Sequence, residues 1–241
     1  MEKTLFVSHG DKGGVGKSVV STLAVEHMLK RGPVAVIESD PTQPDVGKRY
    51  AGDPDIILGT LSLNRAGDSE NALQRFGEWL ETSNCDRVVV NLPAGAGETL
   101  DSMADLLRSL ADGLGYRLVV TYALKNNKLA NEMMIRSLKE GLLSVVEPEN
   151  RYVIYPAFIG EPEIFDWFRS NERKEIEIGE IAIPALRNSA ALQRLEHTPG
   201  RISSLIAKRP EGWFLVDQAS VEKWYKSALL EIEKIFGKEG E

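Results

Sequence analysis

Cysteine is almost absent from this 241-residue chain: Cys85 stands alone. That excludes an internal disulfide and any metal centre built on several thiolates. Histidine is nearly as scarce. His9, His27 and His197 are the full complement, which argues against a histidine-rich zinc site. No run of 18 apolar residues exists, so the sequence predicts no membrane-spanning helix. The opening MEKTLFVSHGDKGG is too short in its apolar part for a signal peptide, and Glu2 excludes myristoylation. An excess of positive charge is also missing. The net charge is −7 and the pI about 5.2, which speaks against coating nucleic acid through overall charge. With 42% hydrophobic and 27% charged residues, the composition is that of an ordinary globular protein. The expectation is a cytoplasmic protein of one domain over 1–241, frayed from 235.

What is present is alternation. Short β-rich runs fall at Thr4–Ser8, Pro33–Ile37, Arg87–Val90, Leu118–Tyr122, Tyr152–Tyr155 and Ile181–Pro184. Helical spacing fills Lys17–Lys30, Asn71–Thr82, Thr99–Leu110, Lys128–Leu143 and Ser220–Phe236. Gly32-Pro33 stops the first helix. This order predicts an α/β fold: a doubly wound, mostly parallel sheet with helices on both faces.

The segment Gly10-Asp11-Lys12-Gly13-Gly14-Val15-Gly16-Lys17-Ser18 follows a strand and opens a helix, the context of a phosphate-binding loop. Its glycines let successive N–H groups turn inward, and the helix start adds unpaired amides and positive dipole. Lys17 is expected to reach β- and γ-phosphates, and the Ser18 hydroxyl to bind Mg²⁺. Where the common pattern begins with glycine, this chain has Asp11.

Lys-Gly-Gly-Val-Gly-Lys-Ser resembles the deviant Walker A motif of the ParA/MinD superfamily of ATPases, phosphate-loop NTPases of the SIMIBI type. The resemblance implies ATP and Mg²⁺ as cofactors, bound by Asp11, Lys12, Gly13, Gly14, Val15, Gly16, Lys17, Ser18 and Val19. It implies that Lys12 reaches across an ATP-dependent homodimer to the partner's phosphates. It gives Lys12 and Lys17 catalytic roles. Glu38-Ser39-Asp40-Pro41-Thr42-Gln43 resembles the family's first switch, with Asp40 as the acid around attacking water and metal and Glu38 replacing a shorter acid. Val88-Val89-Val90-Asn91-Leu92-Pro93-Ala94-Gly95 resembles the Walker B strand and second switch. There Asn91 replaces the family's aspartate. An amide brings no charge and takes no proton, and it meets Mg²⁺ only through water, so slow hydrolysis is expected. Gly95 and Gly97 leave a loop suited to responding to the γ-phosphate.

Phe158-Ile159-Gly160, Phe165, Trp167, Ser170, Arg173 and Ile183-Pro184-Ala185-Leu186 resemble the plasmid-borne branch with the transfer protein TraL and the stability protein StbB. That branch implies plasmid partition, stability or conjugal transfer, with a plasmid or transfer protein as partner. A lone Cys85 excludes the cluster of nitrogenase iron protein. Candidates for base recognition are Lys125, Asn126, Asn127, Tyr155 and Pro156. A guanine-type N-K-x-D loop is lacking, so ATP is preferred. The last helix mixes Glu222, Lys223, Lys226, Glu231, Glu233 and Lys234, which favours docking on the sheet over membrane binding. Arg201, Lys208 and Arg209 form a late basic group for nonspecific DNA. Two rival readings stand beside the switch ATPase: a binding module with little turnover, and a biosynthetic or metallocentre-maturation factor.

Overall fold

The computed structural model describes residues 3–10, 13–39, 44–61 and 69–237. Among these, seven strands form one sheet: β1 (Lys3–His9), β2 (Val34–Glu38), β3 (Ile56–Thr60), β4 (Arg87–Asn91), β5 (Tyr116–Ala123), β6 (Arg151–Pro156) and β7 (Gly179–Ile183). Their order is β3-β2-β4-β1-β5-β6-β7, and every pairing is parallel. The α/β expectation holds.

The helices are α1 (Lys17–Leu29), α2 (Asp45–Arg49), α3 (Ser69–Ser83), α4 (Gly97–Asp101), α5 (Ala104–Gly113) and α6 (Lys128–Glu140). After them come α7 (Asp166–Arg169), α8 (Glu172–Glu175), α9 (Ser189–His197), α10 (Ile202–Ala207) and α11 (Leu215–Phe236). Two cores result, because alternate strand residues point to opposite faces. Leu5, Val7, Ile37, Val88, Val90 and Val120 pack against Phe76 of α3, Leu107 of α5 and Met134 of α6. Phe6, Val34, Val36, Val89, Val119 and Ile154 pack against α1, α2, α9, α10 and α11. Strands buried on both faces read as continuous apolar runs, which is why they are legible in the sequence.

Four differences from the sequence reading have local causes. The run 99–110 is two helices, α4 and α5, separated at Ser102-Met103. The run 128–143 stops at Glu140, and Leu142–Ser144 continue as a 3-10 turn. Strand β3 has no counterpart among the expected strands. It is an edge strand whose Gly59 lies so close to β2 that an added Cβ would sit 2.7 Å from Ile37 Cδ1. Helix α11 starts at Leu215, five residues earlier than expected, because Asp217 Oδ2 accepts from the Phe214 N–H at 2.8 Å.

The fraying expected from 235 does not begin there. Ile235 and Phe236 are buried, and the Phe236 ring stacks on His27 at 5.3 Å between centroids. Residues 238–241 lie outside the described residues. Helix α11 covers one face of the sheet with Val221, Trp224, Tyr225, Leu229 and Ile232, as the docked reading requires. No helix among the described residues is long and apolar enough to cross a membrane.

Candidate nucleotide site

The strand order places the C-terminal ends of β2, β4 and β1 side by side, where open parallel sheets bind ligands. The loop leaving β1 turns directly into α1. Gly14 and Gly16 have φ of +71° and +89°, a conformation that L side chains rarely adopt. Among the described residues, an added Cβ at Gly14 meets nothing within 4 Å, so they leave open space above the loop's backbone. Gly16 caps α1 without a side-chain partner for the first-turn amides, and no acid occupies that turn. A helix start with no side-chain cap and no acid is a place where backbone N–H groups and the helix dipole favour an anion. Ser8 Oγ donates to the Lys17 carbonyl at 3.1 Å and pins the helix start to β1.

A cavity of about 530 Å³ opens over this loop. Gly13 to Val20 form its floor, and Asn91 to Ala94 form one wall. Pro156, Phe158, Pro184, Ala185 and Trp224 belong to its apolar wall. The ring of Phe158 lies against the loop, 3.2 Å from where a Gly16 Cβ would be. Of the expected binding residues, Gly13, Gly14, Val15, Gly16, Lys17, Ser18 and Val19 all line this cavity. Asp11, Lys12 and Asp40 lie outside the described residues.

Asn91 sits at the cavity edge in a buried chain of hydrogen bonds. Ser21 Oγ of α1 donates to Asn91 Oδ1 at 3.0 Å. Asn91 Nδ2 donates to Glu38 Oε2 at 3.0 Å. The N–H of Gly47, in α2, donates to Glu38 Oε1 at 2.7 Å. Burial pushes the Glu38 carboxyl above its ordinary value, against the pull of Asn91 and the Gly47 amide. The chain therefore joins α1, the end of β4, the end of β2 and α2.

The donor set fits a nucleotide with Mg²⁺. It offers a glycine-rich loop at an uncapped helix start, a buried lysine and the oxygen atoms of Ser18 and Asn91. Among the described residues no group of three His, Cys, Asp or Glu gathers to hold a metal alone. A magnesium held mainly by phosphate and water needs no such group.

Several candidates fall elsewhere. Pro156 lines the cavity, but Lys125, Asn126, Asn127 and Tyr155 do not. Asn127 instead caps α6, its Oδ1 accepting from the Ala130 N–H at 2.8 Å. Tyr155 lies in the opposite core, its ring 5.5 Å from that of Phe165. Trp167 and Arg173 both donate to Glu180 and form a structural cluster, whereas Phe158 and Ile183–Leu186 reach the cavity. The late basic group is depleted. Arg201 pairs with Asp53 and Asp55 at 2.5 and 2.6 Å, leaving Lys208 and Arg209 for any DNA contact. Sequence reading missed Trp224, Leu192 and Glu196, which come to the cavity from helices far along the chain. No local spacing signals that approach.

The fold is that of the ParA/MinD-type phosphate-loop ATPases. Septum site-determining protein MinD of Pyrococcus horikoshii, solved with Mg-ADP, aligns with a TM-score of 0.54 at 13% identity, covering 98% of each chain. A plasmid partition protein from Borrelia burgdorferi aligns with a TM-score of 0.50 at 15% identity, covering 81% of this chain and 96% of that one. In sequence, the chain is 27% identical over 179 residues to Protein MobD of Acidithiobacillus ferrooxidans, 71% of each chain. No family model matches.

Proposed function

We propose that this chain, a single domain, is a MgATP-binding switch of the ParA/MinD type that dimerises with ATP and hydrolyses it slowly. The observation that carries the reading is the glycine loop between β1 and α1, with open space above Gly14 and a cavity floored by Gly13 to Val20. Backbone amides from Gly13 to Ser18 would hold the phosphates, and Lys17 would neutralise the β- and γ-oxygens. Ser18 would hold the metal, with Asn91 behind a water. Mg²⁺, when bound, offsets charge on the transferring phosphoryl group. Apolar residues from Pro156 to Trp224 would exclude water around the base. Lys12 would complete the partner's site and Asp40 would orient water.

The plasmid role, in partition, stability or transfer through a plasmid-encoded partner, fits the fold shared with a plasmid partition protein. The assignment to the TraL/StbB-type branch rests on the resemblance of Asn91-Leu92-Pro93-Ala94, Phe158-Ile159-Gly160, Phe165, Trp167, Ser170, Arg173 and Ile183–Leu186, of which Asn91 to Ala94, Phe158 and Ile183–Leu186 line the cavity. The second reading, a nucleotide-dependent binding module with little turnover, is favoured by Asn91. Both polar atoms of its amide are already engaged by Ser21 and Glu38.

The test is solution mass by light scattering without nucleotide, with MgADP and with MgATP, with Lys12→Ala beside the wild type. A dimer only with MgATP, lost in the variant, is expected. An unchanged mass despite proven ATP binding overturns the dimer switch. ATP turnover of the wild type then decides between slow hydrolysis and the binding module.

A further inference from the structure

Glu38 and Asn91 occupy paired register positions on neighbouring strands, both on the α1 face of the sheet. Glu38 is buried behind Asn91, and only Asn91 reaches the cavity. The three hydrogen bonds through them run with one polarity: a hydroxyl gives to an amide oxygen, the amide nitrogen gives to a carboxylate, and a backbone amide gives to the same carboxylate. Every link has one donor and one acceptor. Reversing the Asn91 amide would set its oxygen against the Glu38 carboxylate, so the network fixes its orientation. An aspartate at 91 would do the same permanently. Two carboxylates would then face each other at 3.0 Å, and the link would survive only by taking up a proton, a cost that the neutral amide does not carry.

We propose that Glu38 and Asn91 are a matched pair sharing one negative charge, in which Glu38 carries the charge beneath the metal side of the site. Glu38 is then a positioning residue: it aims the Asn91 amide and acts on the cavity through it. This inference rests on the nucleotide reading above and deepens it. The acid absent from position 91 is not simply lost; its charge stands one strand away, on a longer side chain. Asn91→Asp alone therefore does not repair the site. The exchange Glu38→Gln with Asn91→Asp does, because all three links survive it. Ser21 still donates to the side chain at position 91. The introduced amide nitrogen at position 38 donates to the introduced carboxylate, and the amide oxygen beside it accepts from the Gly47 N–H.

The experiment is a double-mutant cycle with wild type, Glu38→Gln, Asn91→Asp and the double variant. Thermal midpoints are read first, without nucleotide or Mg²⁺. Each single variant is expected to lose about 3 to 10 °C, and the double variant to return to within about 2 °C of wild type. Equal stability of Asn91→Asp and wild type, or losses that simply add, overturns the pairing. Binding of a fluorescent ATP analogue is read second, in Mg²⁺ and in EDTA. The gain in affinity that Mg²⁺ brings is expected to fall about tenfold in Glu38→Gln and to recover in the double variant. A gain unchanged across all four proteins overturns the charge assignment. A wild type that binds no nucleotide overturns the proposed function and the charge assignment together. A wild type that binds equally in Mg²⁺ and EDTA overturns the charge assignment alone.

Discussion

Two buried glutamates on the same face of the sheet are used in opposite ways. Glu26, in α1, accepts four hydrogen bonds: Tyr50 and Tyr225 hydroxyls at 3.1 and 2.9 Å, and the N–H groups of Ile202 and Ser203 at 2.7 and 3.2 Å. Its carboxylate ties α1 to the end of α2, to α10 and to α11, and none of these bonds faces the cavity. Glu38 accepts from Asn91 and from Gly47, and its network opens onto the cavity through Asn91. A saturated carboxylate holds a structure together. A carboxylate whose partner lines a cavity is placed to act on what that cavity holds. Burial alone does not separate the two, since both are almost fully covered.

The sharpest way to break this contrast is Glu26→Ala. Four donors lose their acceptor, two of them backbone amides, and a loss of about 3 to 5 kcal/mol is expected. Chemical denaturation measures it. Nucleotide affinity of the folded fraction should stay within twofold of wild type. A large affinity loss without a stability loss would erase the distinction. Next in size is Lys17→Ala, on the open side. It should weaken ATP binding by about tenfold to a hundredfold, from the loss of a charge-assisted contact. Titration with a fluorescent nucleotide reads it, and an unchanged affinity would remove Lys17 from the phosphates.

The smallest effect belongs to Asp53. Its hydrogen bond from Arg201 holds its carboxyl below the ordinary value, against a smaller upward push from burial. A depressed folded value means stability that is present above the unfolded value near 4 and lost as pH falls through the folded one. Asp53→Asn should cost about 1 kcal/mol at neutral pH, and the difference from wild type should shrink under acid. Denaturation at pH 7 and pH 3 checks it. A gap as wide at pH 3 as at pH 7 would show that the carboxylate charge is not what Arg201 reads.

The sequence carried the sealed parts of this molecule less well than the open one. The phosphate loop is contiguous, so Gly13 to Ser18 could be read directly. Continuous apolar runs such as Val88–Val90 announced the central strands. Glu26 gave no such signal, because its four donors come from positions 50, 202, 203 and 225. Helices α9 and α10 are short, and their apolar residues make sense only against α1 and α11. The apolar wall of the cavity was hidden for the same reason: Phe158, Pro184 and Trp224 meet only once the chain has folded. The network around Asn91 was half visible. Its departure from the family pattern stood out, but the compensating reach of Glu38 required the strand register.

Arg49 ends α2, and its guanidinium donates to the carbonyls of Leu195, Thr198 and Gly200 at 2.6, 3.2 and 3.3 Å. The Gly200 N–H returns a bond to the Arg49 carbonyl at 2.6 Å. Four bonds of this kind stitch the turn between α9 and α10 to α2. Arg49 thus anchors the Thr198–Gly200 turn to α2 across about 150 residues of sequence, so that α2 and this turn form one hydrogen-bonded unit.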